Sequence, residues 1–447
     1  MHTLWKRYTS TALSTKILVG MIAGIAAGIA LGERATLLDP VGSGFLRLFQ
    51  MPVIPYIVVS IITSIGRLNR KQAGTTFRGS VGVLAGLWVV ILLVVLAFPA
   101  GFPDWKSGSF FSSSQLQEAP ELNLVELFIP TNPFTALAET VVPSVVLFSI
   151  AVGIAMIGVP ENHDVILGLQ KLGDALLLIS RVVARFTPIG VFAILAKATG
   201  TIPLESLNRI QVYVLLQALV ALVLTLWVLP AAVAAFTPVR QRTILRSFRA
   251  PLLTAFATGN LLIVLPLLSE RCIQLLEAAP DPMVNTNSEE PAPDPIRRSA
   301  EIAASVELLI PLSFVFPTMG KLLSLAFIPY AAWFSGTQIP ASSYPLFLIT
   351  GLASFFGDGL IAMRYLLGLL SLPDDLAELY VTIDQVSAAR FGTLLAGMST
   401  VCLALLATSV IRGQAVFRLR PALRTLAISL LLLATALGLN LSLIHIS

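Results

Sequence analysis

The sequence predicts an all-α, polytopic membrane protein, and three observations support this fold class. Of its 447 residues, 56% are hydrophobic and 12% are charged, whereas soluble domains carry about 25% charged residues. The apolar residues form runs close to the roughly 20 residues that a membrane-spanning helix needs. The basic residues fall in short loops between these runs, which is the positive-inside pattern of membrane proteins.

Composition also excludes several classes of function. The net charge of +5 does not indicate nucleic-acid binding, because the basic residues are confined to these short loops. Cys272 and Cys402 lie in or beside apolar runs, which excludes a disulfide framework. The histidines, His2, His163 and His445, are too scattered for a metal site. With no nucleophile–base pair in the sequence, we expect neither an enzyme nor a bound cofactor.

Nine apolar runs are candidates for spanning helices. In chain order they cover residues 17–31, 45–65, 81–98, 141–158, 175–198, 212–236, 306–334, 376–410 and 423–443. Basic residues precede the first and seventh runs and follow the second, sixth and eighth. The positive-inside rule therefore predicts that the N-terminal segment 1–16 and the loop 276–300 are cytoplasmic.

Two further apolar runs are broken by glycine. The run 252–268 is interrupted at Gly259-Asn260, and the run 344–372 at Gly357-Asp358-Gly359. Paired, interrupted segments in the second half of a chain are typical of re-entrant hairpins beside a transporter's binding site. We expect hairpins at about 243–271 and 344–372, within a membrane domain that covers residues 17–410.

The C-terminal segment 411–447 is predicted to form a basic loop followed by an extra, ninth spanning helix. Its last residues, 442–447, resemble translated sequencing-adapter read-through, so we expect the gene to be truncated here. The natural protein would then continue into a periplasmic domain, fused or associated, that binds a solute. A stop codon within a few residues of Ile444 in the full-length gene would contradict this expectation.

Arg390 lies inside the apolar run 376–410, far from either end. A guanidinium stays protonated, so at membrane depth it needs an anion, water or carbonyl oxygens as partners. Charges at this depth mark substrate paths by default. The alternative is a structural ion pair with Asp384 or Asp358.

Several short strings occur in an order and spacing that belong to one family. They are FLRLFQMPVIP at 45–55, IPTNPF at 129–134, FSIAVGIA at 148–155, PIGVF at 188–192, AFAT at 255–258 and IPL at 310–312. Over about residues 15–410 the chain resembles the dicarboxylate/amino acid:cation symporters, which include the glutamate transporters. The resemblance implies eight spanning helices, two oppositely directed re-entrant hairpins, a homotrimer and a coupling cation, sodium or a proton.

The resemblance weakens at the functional positions. The family's seventh span unwinds at an Asn-Met-Asp-Gly-Thr sequence whose carbonyls and aspartate hold sodium, and residues 317–321 here read Pro-Thr-Met-Gly-Lys. Because Met319 replaces the aspartate, we expect the sodium sites to be altered or lost. Lys321 is expected either to replace a sodium ion with its ammonium group or to extend to the membrane interface.

Ser387 and Arg390 resemble the Ser-x-x-Arg sequence of the dicarboxylate branch. Amino-acid carriers have an aspartate at the serine position, which holds the substrate's ammonium group. Residues three apart share a helix face, so Arg390 and Ser387 could hold one carboxylate together. The pair favours a C4-type dicarboxylate.

Four other polar residues complete the candidate site. Asn260 could orient the substrate or simply form the hairpin turn. Asp358 and Arg364 could form an ion pair with each other, or they could interact electrostatically with Arg390 and Lys321. Asp384 could be the counter-ion of the arginine in the empty site, or a solvated residue at the end of its helix.

The predicted function is secondary transport of a small anionic carboxylate across the inner membrane of a bacterium. The alternative is a transport-incompetent sensor, or a membrane anchor for a periplasmic ligand-binding domain. The loss of the sodium positions favours the alternative, and the retention of Arg390 favours transport.

Overall fold

The structure is a computed structural model whose described regular elements are all helical. It describes residues 13–66, 70–102, 129, 131–139, 141–159, 163–201, 204–279, 295–356, 359–373, 376–415, 424, 427–436 and 438. Some predicted features lie outside these residues, namely segment 1–12, the loop 280–294, Asp358 and parts of 411–447.

The first half of the chain forms eight described α-helices. In chain order they are α1 (Leu13–Leu31), α2 (Asp39–Gln50), α3 (Val53–Gly66), α4 (Arg70–Ala97), α5 (Pro133–Ala138), α6 (Val142–Ile157), α7 (His163–Ala184) and α8 (Thr187–Thr201). Helix α1 packs along α8, and α3 packs against α6 and α7, whereas α4 joins the helices of the second half.

The second half is built from shorter helices separated by breaks. They are α9 (Leu204–Val223), α10 (Leu229–Phe236), α11 (Gln241–Thr258), α12 (Leu265–Glu277), α13 (Pro295–Val315), α14 (Met319–Leu323), α15 (Phe327–Ser335), α16 (Tyr344–Ser354), α17 (Gly359–Leu369), α18 (Leu376–Ile383) and α19 (Thr393–Ile411). π-helical segments join α9 to α10 at Leu224–Val228 and α18 to α19 at Asp384–Gly392. A further apolar helix, α20, covers Ala427–Ala436.

Within the described residues, five helical stretches are long and apolar enough to cross a membrane. They are Thr15–Leu48, Gly79–Gly101, Gln211–Phe236, Arg298–Ser335 and Ala389–Ile411. The bent pair α7 and α8 would make a sixth. A chain whose described regular elements are all helical, with several such stretches, is a polytopic membrane protein, as the sequence predicts.

Two predicted runs of the first half of the chain are divided in the structure, both next to a proline. The run 175–198 lies on α7 and α8, which meet at an angle of 60°, and Pro188 is in the first turn of α8. The run 45–65 is divided at Pro52, between α2 and α3. Proline has no N–H to continue a helix and is favoured at its first turn, so hydropathy alone overestimates the length of each straight segment.

Helices α1 and α8 approach each other closely through a glycine face of α1. A Cβ atom at Gly20 would lie 2.5 Å from the carbonyl oxygen of Pro188, and one at Gly24 would lie 2.6 Å from that of Phe192. Gly28 continues this glycine face one turn later. Small residues four apart let membrane helices pack backbone to backbone, which is why α1 can lie directly on α8.

Helices α11 and α12 form the first of the two broken segments. Helix α11 ends at Gly259, whose φ of +64° is the left-handed conformation that glycine adopts without strain. A short 3₁₀ turn follows, and Pro266 starts α12. Ala257, near the end of α11, packs with Ile17 and Val191 in a small apolar cluster that joins α11 to α1 and α8.

Candidate functional site

A cavity of about 420 Å³ lies where the broken helices of the second half meet. This volume is within the range of small-molecule sites. Its lining comes from the α11–α12 turn, the α13–α15 segment, the start of α17 and the α18–α19 segment. The described polar lining residues are Asn260, Thr318, Lys321, Ser324, Tyr380, Asp384 and Thr393.

The helix break before α14 lies beside this cavity, which Thr318 and Lys321 line. Helix α13 ends at Val315, and Pro317 cannot donate a backbone hydrogen bond. The Thr318 hydroxyl starts α14 by accepting the N–H of Lys321 at 3.4 Å, which is the usual role of an N-cap threonine.

The carbonyl of Pro317 at this break has a protein donor. The indole Nε1 of Trp88 on α4 donates to it at 2.8 Å. Phe316 and Phe356 contact the Trp88 ring edge to face, with centroid distances of 6.1 and 6.2 Å. The aromatic cluster therefore fixes the indole against the break.

Lys321 carries a positive charge to the cavity wall. It is exposed, and its Nζ lies 5.8 Å from the centroid of the Phe314 ring, which also lines the cavity. An ammonium group over an aromatic face is stabilised by the ring's electrons.

The segment that carries Ser387 and Arg390 is π-helical, from Asp384 to Gly392. A π-helix has i→i+5 hydrogen bonds and a wider turn than an α-helix, so residues three apart are not aligned as they would be in an α-helix. Ser387 donates to Gln217 Oε1 at 2.6 Å, and Arg390 donates to the carbonyl of Ala257 at 2.5 Å. The two side chains thus contact different helices, α9 and α11.

The remaining predicted residues have separate positions. Asn260 lines the cavity, and its Oδ1 accepts the N–H of Leu262 at 3.0 Å, so it also shapes the turn. Arg364 is exposed on α17 and is not among the described lining residues. Asp358 lies outside the described residues. The structure brings Asn260, Lys321 and Asp384 to one cavity.

Helix α14 and the π-helical segment touch through glycine. A Cβ atom at Gly320 would overlap the carbonyl oxygen of Gly392 and lie 2.7 Å from its carbonyl carbon. This contact sets the distance between the two walls that carry Lys321 and Asp384.

Two residues that hold neighbouring parts of the structure were not predicted, namely Trp88 at the Pro317 carbonyl and Gln217 at Ser387. Trp88 sits in the middle of the run 81–98, whereas tryptophans of membrane helices favour the interfaces, and that position was the available signal. Gln217 is a fully buried amide in an apolar helix, where a polar residue needs a partner. Within the described residues, no three His, Cys, Asp or Glu side chains form a group that could hold a metal ion.

Comparison with known proteins gives a match to one protein family. The profile of the sodium:dicarboxylate symporter family matches residues 13–410. The L-cystine uptake protein TcyP of Bacillus thuringiensis subsp. konkukian is 30% identical over 244 residues, which cover 48% of this chain and 52% of the relative. TcyP of Shouchella clausii is 28% identical over 252 residues, 51% of this chain and 53% of the relative.

An uncharacterized symporter of Haemophilus influenzae is 29% identical over 188 residues, 37% of this chain and 42% of the relative. The chain spans about half the length of the curated relatives that it matches.

Proposed function

The chain belongs to the sodium:dicarboxylate symporter family, and from this membership we propose that it is a secondary transporter of small, amino-acid-like zwitterions. One observation carries the substrate class: a basic residue, Lys321, and an acidic residue, Asp384, line the same cavity. The relatives named as L-cystine uptake proteins support an amino-acid substrate. The family is one of transporters, so the chain is not an enzyme.

The C4 dicarboxylate expected from the sequence is the second candidate. It rests on the Ser387–Arg390 pair and on the family's name. Two carboxylates call for two cationic partners, and Lys321 is the sole lysine or arginine among the described lining residues. This count favours a zwitterion over a dianion.

The finer architecture is part of the same proposal. We assign the pairs α11–α12 and α16–α17 to the two re-entrant hairpins and α20 to the ninth span. The basic loops favour a cytoplasmic N-terminus in a bacterial inner membrane. A homotrimer is proposed from the family resemblance.

Uptake by the full chain reconstituted in liposomes tests the function. We expect saturable uptake of labelled L-cystine, less uptake of L-aspartate and little of succinate. Liposomes without protein are the control. Preferred uptake of succinate would select the dicarboxylate, and binding without any uptake would select the sensor or anchor.

The residues at the break before α14 do not suit a sodium ion. The Pro317 carbonyl already accepts the Trp88 indole N–H, Met319 is a buried thioether, and sodium prefers oxygen ligands. The family's coupling cation therefore finds no ready ligand set at this position.

We expect uptake to be unchanged when choline replaces sodium on both sides of the membrane. Uptake that stops without sodium would contradict this prediction.

Trp88→Phe, which leaves the Pro317 carbonyl without its donor, should lower stability by about 1 kcal/mol. Trp227→Phe is the matched control, because the Trp227 indole N–H is buried with no partner in the described part of the chain.

A further inference from the structure

We propose that Lys321 and Asp384 bind the two charges of an amino-acid headgroup, while Arg390 is a positioning residue for the α11–α12 turn. The substrate carboxylate would meet the Lys321 ammonium, and the substrate ammonium would meet the Asp384 carboxylate. This assignment rests on the proposed transport of zwitterions and names the residues that select them.

Lys321 is placed where it can meet a substrate. It lies in the first turn of α14, just after the helix break, and is exposed to the cavity that Phe314 and Thr318 also line. An ammonium group on a flexible four-carbon stem acts as a mobile point charge. Such a group can follow a carboxylate within the cavity without moving the backbone.

Asp384 supplies the opposite charge to the same cavity. It opens the π-helical segment, whose residues Ala389 and Gly392 also line the cavity. Among the described lining residues it is the one acid. A cavity with one basic and one acidic group is neutral in sum, so it suits a ligand whose own charges also cancel.

Arg390 has a different environment. It is not among the described lining residues, and its Nη1 donates to the carbonyl of Ala257 at 2.5 Å. Ala257 is fully buried in the last turn of α11, where helix carbonyls lack intrahelical partners. A guanidinium satisfies this carbonyl and complements the negative end of the helix dipole, so moving it to a substrate would leave a buried acceptor unpaired.

The experiment measures binding of three matched probes to the purified full chain in nanodiscs. L-cystine carries both charges, its dimethyl ester lacks the carboxylates, and 3,3′-dithiodipropionate lacks the ammonium groups. We expect the wild type to bind L-cystine at least about tenfold more tightly than either analogue.

Each variant that removes one charge should lose the preference for L-cystine over one analogue and keep its preference over the other. Lys321→Gln should bind L-cystine and its dimethyl ester alike while still rejecting dithiodipropionate. Asp384→Asn should bind L-cystine and dithiodipropionate alike while still rejecting the ester. Lys321→Arg, which keeps the charge, should retain both preferences, and Lys171→Gln at an exposed position of α7 is the control. A purely structural role for Lys321 would lower all affinities together.

A measurement on the wild type avoids variants that fail to fold. Acetylation of Lys321 by an amine-reactive reagent, followed by mass spectrometry, should be slowed by L-cystine and not by the dimethyl ester. Equal protection by both probes would overturn the assignment, as would retained ester rejection in Lys321→Gln. If L-cystine binds but these results fail, the proposed function survives. If the wild type binds none of the probes, both proposals fall.

Discussion

Gly320→Ala is expected to destabilise the folded protein by about 3 kcal/mol and to abolish uptake, because the added methyl group overpacks a backbone contact. The new Cβ would overlap the carbonyl oxygen of Gly392 and lie 3.0 Å from the Cβ of Ala396. Neither neighbour is a flexible side chain that can move aside. Relief requires α14 to separate from the π-helical segment, and that movement reshapes the cavity.

Thermal denaturation and size-exclusion profiles of the purified variants check this prediction. Gly392→Ala is a graded comparison, because its Cβ would lie 3.3 Å from the carbonyl oxygen of Gly320, and it should cost much less. Gly82→Ala is the control, since a Cβ there meets nothing within 4 Å. A Gly320→Ala protein as stable as Gly82→Ala would show that the two segments are not in contact.

Arg390→Met is expected to loosen the α11–α12 turn even when no substrate is present. The variant removes a charge-assisted hydrogen bond to the Ala257 carbonyl, which is worth about 1.5–3 kcal/mol. The carbonyl at the end of α11 then lacks its guanidinium partner. Hydrogen exchange of the peptide that covers residues 254–262 should become faster, and uptake should fall sharply.

Arg390→Lys separates the two roles of this residue. A lysine can still donate to the Ala257 carbonyl, so exchange near the wild-type rate is expected, although its single ammonium lacks the guanidinium fork. Unchanged exchange in Arg390→Met together with lost substrate binding would instead assign Arg390 to the substrate, as the sequence suggests.

Much of the fold could be predicted from local sequence. Hydropathy locates most of the helices, and Gly259 and Pro317 mark two of the breaks because both residues interrupt regular helix geometry. The bends at Pro52 and Pro188 carry the same signal, but the apolar runs continue through them and hide it. The described residues confirm an all-helical membrane protein, and the count of spans stays a prediction.

The site is less predictable because it depends on long-range contacts. Lys321 and Asp384 are 63 positions apart in the printed sequence, and no local pattern says that they line one cavity. The alignment of Ser387 with Arg390 assumes α-helical periodicity, and the wider π-helical turn is not visible in the residues themselves. The partners of these two side chains, Gln217 and Ala257, come from helices far away in the chain.

The two faces of α1 have unequal freedom to change. Its glycine face lies against α8, where any side chain larger than hydrogen meets a carbonyl oxygen. Its opposite face carries Ile22 and Ile29, whose side chains are both largely exposed. We therefore expect Ile, Leu, Val and Phe to replace one another freely on the exposed side of this helix. The side that faces α8 should keep glycine over two successive turns.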